Sequence, residues 1–200
     1  MLKVILLRHG ETAYNAAGNR YCGRTDIGLT EKGVQQAVAI GKVLIDTPIA
    51  AVYASPLIRA QQTAEIASGN RKVITDQRII EVDFGLWEGK TKEEFNMENP
   101  LLWQEWMKDP RTARAGGTGE TGREIIERVT RFFEDMQIQH DNETIMVIGH
   151  NGINRLYMAH QLGMPLAHYR RLEQENSSIT IFELHQDQGF VLKKLNSGTV

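Results

Sequence analysis

The sequence predicts an α/β fold, a three-layer α/β/α sandwich with a mostly parallel central sheet. Three observations carry the prediction. Short apolar runs alternate with stretches whose apolar residues recur every three or four positions, the pattern of strands joined by amphipathic helices. Three of these runs stop abruptly at polar residues, as buried strands do on reaching a loop. Hydroxyl side chains stand where the helical stretches should begin.

Taken in order, Leu2 to Leu7 forms the first strand and stops at Arg8-His9-Gly10. Thr30 caps a helix whose apolar face is Val34, Ala37, Val38, Gly41, Leu44 and Ile45. Ala50 to Ala54 is the second strand. Ser55 then offers a capping hydroxyl before Pro56 at a first helical position, opening a helix to about Ala67. Val73-Ile74 is a short strand, and Arg78 to Gly89, mixing glycine, aromatic and acidic residues, is a loop. Thr91 with Glu94 and Thr121 with Glu124 have the capping-box pattern and start two helices. The second is long, with Ile125, Val129, Phe132, Phe133 and Met136 on one face. Between them Trp103 to Thr121 reads as too irregular for core, part of an excursion around 90–121 that covers a site. Thr144 to Ile148 is a third apolar run, cut off by Gly149-His150-Asn151 and followed by a helix to about Leu162. Ile179 to Leu184 and Phe190 to Leu195 pair across a turn at Asp187 to Gly189. Residues 1–200 read as one domain.

Composition narrows the function classes. A chain of 200 residues with 41% apolar content is long enough to bury about 70% of its unfolded surface. With 23 Lys and Arg against 25 Asp and Glu, the net charge of −2 supplies no global basic field for nucleic acid or an anionic membrane. No apolar run approaches the roughly 20 residues needed to cross a bilayer. The single cysteine, Cys22, forms no intramolecular disulfide, and no cleavable apolar leader is evident, so a reducing, cytoplasmic setting is expected.

Open α/β sheets bind ligands at the carboxyl ends of their strands. Those ends deliver Arg8 and His9, then Ser55 with Arg59 one helical turn later, then His150 and Asn151. Two arginines and two histidines in one crevice suit a phosphate, because guanidinium forks bind its oxygens bidentately and a histidinium adds a donor and a charge. A neutral imidazole can also attack phosphorus, splitting one hard displacement into two easier ones, while positive walls neutralise the transferring oxygens. His140, His160, His168 and His185 lie in helical or surface-like contexts and read as structural or solvated. His9, His150, Glu11 and Glu81 could ligate a divalent ion, but two adjacent arginines would repel it and already supply its charge. Neither metal nor cofactor is therefore expected.

Competing motifs fail on context. Phe84 to Thr91 nearly matches a phosphate-binding P-loop, but its first glycine would fall on Phe84. Gly117 to Gly122 matches G-x-G-x-x-G, yet a charged segment containing Pro110 stands where a strand must precede it. A cysteine phosphatase needs arginine six residues after its nucleophile, and Cys22 is followed there by Gly28. Trp103, Trp106 and Met107 sit at helical spacing and would ordinarily be core, with a place at a substrate mouth as the second reading.

Leu7-Arg8-His9-Gly10-Glu11-Thr12 with Asn15, Ser55-Pro56-Leu57 with Arg59, Glu81 with Gly85-Leu86-Trp87-Glu88-Gly89, and Gly149-His150-Asn151-Gly152 together resemble the histidine phosphatase superfamily, also called phosphoglycerate mutase-like. The likeness runs along essentially the whole chain, in the family's order. It implies the phosphoglycerate mutase-like fold, His9 as the phosphorylated nucleophile, Arg8, Arg59 and His150 as the phosphate pocket, and Asn15 as a further phosphate ligand. It also implies Glu81 as the proton donor, whereas the residues alone left Glu81, Asp83 and Glu88 equal. Gly149 replaces the family's usual serine and Asn151 its glycine, so a hydroxyl is lost and an amide gained beside the phosphate. Tyr14 stands for a usual tryptophan. Gly117 to Thr121 is similar to the family's Gly-Gly-Glu-Ser, which places Glu120 and Thr121, with Cys22, Gly23 and Trp103, as candidate lining of the substrate pocket.

The resulting expectation is a metal-independent phosphomonoesterase acting on a small phosphorylated metabolite through phosphohistidine. Glu81 would have its proton affinity raised by apolar Phe84 and Trp87, and His150 would be protonated. The closing Leu192 to Ser197 and the general layout are similar to α-ribazole-5′-phosphate phosphatases. The alternatives are a phosphoglycerate mutase of the same family and a non-catalytic phosphate sensor.

Overall fold

The computed structural model describes residues 1–198. Leu2–Arg8 (β1), Ala51–Ala54 (β2), Val73–Thr75 (β3), Thr144–Gly149 (β4), Ile179–His185 (β5) and Gly189–Ser197 (β6) form one six-stranded sheet in the order β3-β2-β4-β1-β5-β6. The first four strands run parallel, and β5 and β6 add an antiparallel edge beside β1. The helices are Ala13–Ala16 (α1), Glu31–Val43 (α2), Ile58–Ala67 (α3), Lys92–Glu98 (α4), Pro100–Lys108 (α5), Gly122–Gln139 (α6) and Asn151–Gln161 (α7).

Alternation along β1 explains the layers. Ile5 and Leu7 face one side, with Ile40 of α2 and Ala60 and Ala64 of α3. Val4 and Leu6 face the other, with Phe132 and Phe133 of α6 and Leu156 of α7. Both faces are covered, as a parallel sheet requires. Register then positions the site: Arg8 pairs with Gly149 and Ala54 with Ile148, so the ends of β1, β4 and β2 are level. The chain continues this pairing one step further, His9 N–H to Gly149 O at 3.2 Å and Ser55 N–H to Ile148 O at 3.0 Å.

Three local expectations are corrected. In α2 the buried residues are Gly33, Ala37 and Ile40, while Val34 and Val38 lie exposed and Ile45, beyond the helix, is 73% exposed. The helix turns its small residues inward because the His9 loop lies against it: a Cβ on Gly10 would sit 2.5 Å from Gly33 O, and one on Gly33 2.2 Å from Glu11 O. The helix after β2 begins at Ile58 rather than Pro56. Ser55 Oγ accepts only from Leu57 N–H, at 3.3 Å, and the Ile58 N–H is satisfied from afar by Asp26 Oδ1 at 2.7 Å.

The stretch from Trp103 onward is not irregular throughout. Asn99 accepts from Leu101 N–H and Pro100 sits in the first turn, so α5 begins there and carries Trp103 and Trp106. Trp106 is 1% exposed and donates to Tyr169 Oη at 3.2 Å. Ala115 is buried as well, so this segment contributes core. The capping boxes at Thr91 and Thr121 form as expected, and all five apolar residues assigned to the α6 face are buried. A 3-10 segment, Leu166–Arg171, packs against α7 without having been foreseen. Among the described residues no helix is long and apolar enough to cross a membrane.

Candidate active site

The level strand ends open into a cavity of about 290 Å³, lined by Arg8, His9, Asn15, Arg59, Glu81 and Asn151 among others. His9 follows β1 directly. Its Nδ1 lies 2.7 Å from Gly10 O, and because a carbonyl can only accept, Nδ1 carries the proton and Nε2 keeps its lone pair. Burial, then the charges of Arg59 and Arg8, holds its pKa well below the usual histidine value. His9 is thus neutral at neutral pH, the state a nucleophile needs.

His150, the N-cap residue of α7, has its ring 5.1 Å from that of His9. It is fully buried, and both ring nitrogens lack a protein partner. Burial, then Arg59 and His9, holds its pKa well below the usual value too. The expectation of a standing imidazolium is therefore corrected: with arginines already supplying positive charge, a second buried cation is disfavoured. A neutral His150 still offers one N–H.

The arginines are less free than two open forks. Arg8 Nη1 donates to Gln174 O at 2.9 Å, and Arg59 donates from Nη1 to Thr25 O at 2.9 Å and from Nη2 to Gly23 O at 2.7 Å. These bonds fix both side chains before any ligand arrives, and each retains a buried Nε–H without a partner. Burial lowers the Arg8 pKa to about 10, which leaves it cationic at neutral pH. Asn15 Oδ1 accepts from the Thr12 N–H and hydroxyl, both at 3.0 Å, closing the cap of α1. Only its amide NH2 remains to serve an anion. Asn151 Oδ1 accepts from Arg155 Nη1 at 3.3 Å.

Glu81 is 5% exposed and caps α7. Its Oε1 accepts from Val82 N–H at 2.9 Å and Ile153 N–H at 3.1 Å, and its Oε2 from Gly152 N–H at 3.1 Å. Residue 152 must be glycine for this approach, since a Cβ there would lie 2.7 Å from Glu81 Oε1. The expected apolar surround is thus corrected: the carboxylate oxygens meet backbone N–H groups, and Trp87 is stacked on Phe95 in an aromatic cluster. Asp83 and Glu88 are engaged in loop contacts, with Gly85 N–H and with Arg24 N–H and the Thr25 hydroxyl, and neither lines the cavity.

Of the proposed pocket lining, Cys22 faces the cavity, its thiol pushed up to about 11 mainly by burial and so uncharged at neutral pH. Gly23 lies behind Arg59, anchoring it through a carbonyl. Trp103 packs under Arg170, 5.0 Å from its ring centroid to Cζ. Glu120 is occupied by Arg128 and Arg24, and Thr121 caps α6. These four do not line the cavity because backbone and ion-pair partners hold them elsewhere. Tyr21, Arg155, Tyr169 and Arg170 do line it and were missed. Arg155 had a signal, four residues after Asn151 on one helical face; Arg170 had none.

Arg59 provides a direct test of the anion site. Arg59→Ala is expected to weaken vanadate binding by about 10- to 100-fold, the worth of a lost charged donor. Isothermal titration measures this, and unchanged vanadate affinity would remove Arg59 from the site.

The chain is 33% identical over 195 residues to phosphoserine phosphatase 1 of Hydrogenobacter thermophilus, covering 96% of this chain and 92% of that protein. It is likewise 33% identical over 207 residues to the adenosylcobalamin/alpha-ribazole phosphatase of Salmonella typhimurium, covering 100% and 98%. Its fold superposes on a phosphoserine phosphatase mutant from Entamoeba histolytica in complex with phosphoserine with a TM-score of 0.90, at 30% identity and 98% coverage of both chains. The family pattern of the histidine phosphatase superfamily (branch 1) matches residues 4–198, and the chain belongs to that superfamily.

Proposed function

We propose that this phosphomonoester hydrolase moves the phosphoryl group of a small phosphorylated metabolite onto His9 Nε2 and then to water, without a metal ion. The observation that carries the reading is the Nδ1–H bond from His9 to Gly10 O, which presents an unprotonated Nε2 beside two fixed arginines. In the first step the Nε2–P bond forms as the ester P–O bond breaks, and the leaving oxygen takes a proton from Glu81. In the second, Glu81 accepts a proton from water as its oxygen attacks phosphorus and the P–N bond breaks. Arg8, Arg59, His150 and the amides of Asn15 and Asn151 supply the donors around the transferring oxygens.

The cavity takes a small phosphomonoester, with phosphorylated acids and α-ribazole 5′-phosphate as the candidate substrates. The free, half-buried thiol of Cys22 fits a reducing, cytoplasmic setting. Purified protein should release inorganic phosphate from small phosphomonoesters at a rate that chelators leave intact. Nuclear magnetic resonance of 3-phosphoglycerate during the assay separates the alternatives. Isomerisation without phosphate release would make the chain a mutase, and binding without turnover would make it a sensor.

A further inference from the structure

The cavity holds more positive charge than a phosphate needs. Five arginines line it and one carboxylate, Glu81. Arg20 is paired with Glu94, at 2.6 and 2.9 Å. Among the described residues Arg8, Arg59, Arg155 and Arg170 have no carboxylate within ion-pair distance. With Glu81 protonated, as its role of proton donor requires, a phosphate dianion offsets two of these four charges and leaves two guanidiniums unmatched. Burying an unmatched cation is costly, so a ligand that pairs it gains both attraction and specificity.

The surplus has a defined place. Arg155 sits one helical turn beyond Asn151 on α7, and Arg170 on the 3-10 segment packed against that helix. Tyr169 lies between them, its ring centroid 5.3 Å from Arg155 Cζ and 5.9 Å from Arg170 Cζ. Arg170 Nη1 donates to Tyr21 Oη at 3.1 Å, and Trp103 supports its guanidinium from below. Aromatic faces hold the two cations without neutralising them. Arg155 is 9% exposed and retains a buried Nε–H with no partner. A merely structural arginine this deeply placed would be expected to have its donors matched.

The geometry points to a second anion subsite, formed by Arg155 and Arg170, that reads a carboxylate on the substrate's leaving group. Guanidinium forks match a planar carboxylate bidentately, and this pair on the Tyr169 ring is separate from the two arginines assigned to the phosphate. The substrate class is then a small phosphorylated acid with its carboxylate a few bonds from the ester oxygen. This inference rests on the proposed phosphatase reading of the same cavity.

The test compares 3-phosphoglycerate with glycerol 3-phosphate, which carries a hydroxymethyl group in place of the carboxylate. The wild-type protein should prefer 3-phosphoglycerate in kcat/KM by about 10-fold or more. Arg155→Met and Arg170→Met, with folding checked by circular dichroism, should each reduce that ratio several-fold, and Arg155→Lys should restore part of it. A wild-type ratio near one, a ratio unchanged in both folded variants, or faster turnover of α-ribazole 5′-phosphate than of 3-phosphoglycerate would overturn the subsite. Calorimetric binding of the two probes to His9→Ala protein should show the same preference, and that measurement requires no phosphohistidine chemistry. If His9→Ala retains turnover while the binding preference persists, the nucleophile is wrong and the subsite stands.

Discussion

His9→Ala is expected to lower phosphate release by about 10⁴-fold or more, in the range seen when a covalent nucleophile is removed, and to abolish the phosphoenzyme. The wild-type intermediate should be trapped by rapid quenching as an acid-labile, alkali-stable species. Fixed arginines and His150 remain in the variant, so anion binding should survive while transfer fails. The pH dependence has a definite sign. His9 loses its lone pair only as pH falls through its own pKa, which burial and the two arginines hold well below the usual histidine value. Phosphoenzyme formation should therefore stay level as pH drops from 7.5 through 6.5, provided the substrate remains dianionic. A half-loss centred near 6.5 with such a substrate would show an ordinary solvated histidine and contradict the buried assignment. Persistence of a phosphoenzyme in His9→Ala would place the nucleophile elsewhere.

Glu81→Gln is expected to slow phosphoenzyme formation from an alkyl phosphate by about 10² to 10⁴, the usual worth of a positioned proton donor. A poor leaving alkoxide must receive a proton as its bond to phosphorus breaks, whereas p-nitrophenolate leaves unaided, so p-nitrophenyl phosphate should lose much less. Glutamine is the informative replacement because Glu81 also caps α7 through the Gly152 and Ile153 N–H groups and holds its own loop through Val82 N–H. Its amide oxygen can keep part of that cap, while alanine would release the helix terminus and confuse a folding effect with a chemical one. Single-turnover measurement is required, since Glu81 also serves the water step and its loss can make dephosphorylation limiting for both substrates. Equal losses for the two leaving groups would assign Glu81 to positioning α7 and His150 rather than to proton transfer.

Glu81 also shows how much of the site was legible. From residue types alone it was one of three acidic loop residues, with Asp83 and Glu88, and only the order of motifs selected it. The structure separates the three by their partners: Asp83 accepts from Gly85 of its own loop, Glu88 from the Arg24 loop, and Glu81 alone reaches α7 and the cavity. Arg59 was legible as a phosphate ligand candidate by its spacing from Ser55, but nothing near it announced that Gly23 and Thr25 carbonyls would occupy both its terminal nitrogens. Those acceptors lie more than thirty residues away.

Local pattern was sufficient wherever one element's own spacing decides the outcome. The strand ends, expected at Leu7, Ala54 and Ile148 and found within one residue of them, the capping boxes at Thr91 and Thr121, and the buried face of α6 are all consequences of residues within a turn or two of each other. The α/β layering follows from the same information, because apolar runs must be covered on both faces. Tertiary structure alone decided which face of α2 turns inward, since the close approach of Gly10 to Gly33 outweighs the larger valines. It alone brought Arg170 over the cavity from a segment with no periodic signal. It also set the protonation of His9 and His150, because desolvation and the fields of Arg8 and Arg59 act through space and depend on who is buried beside whom.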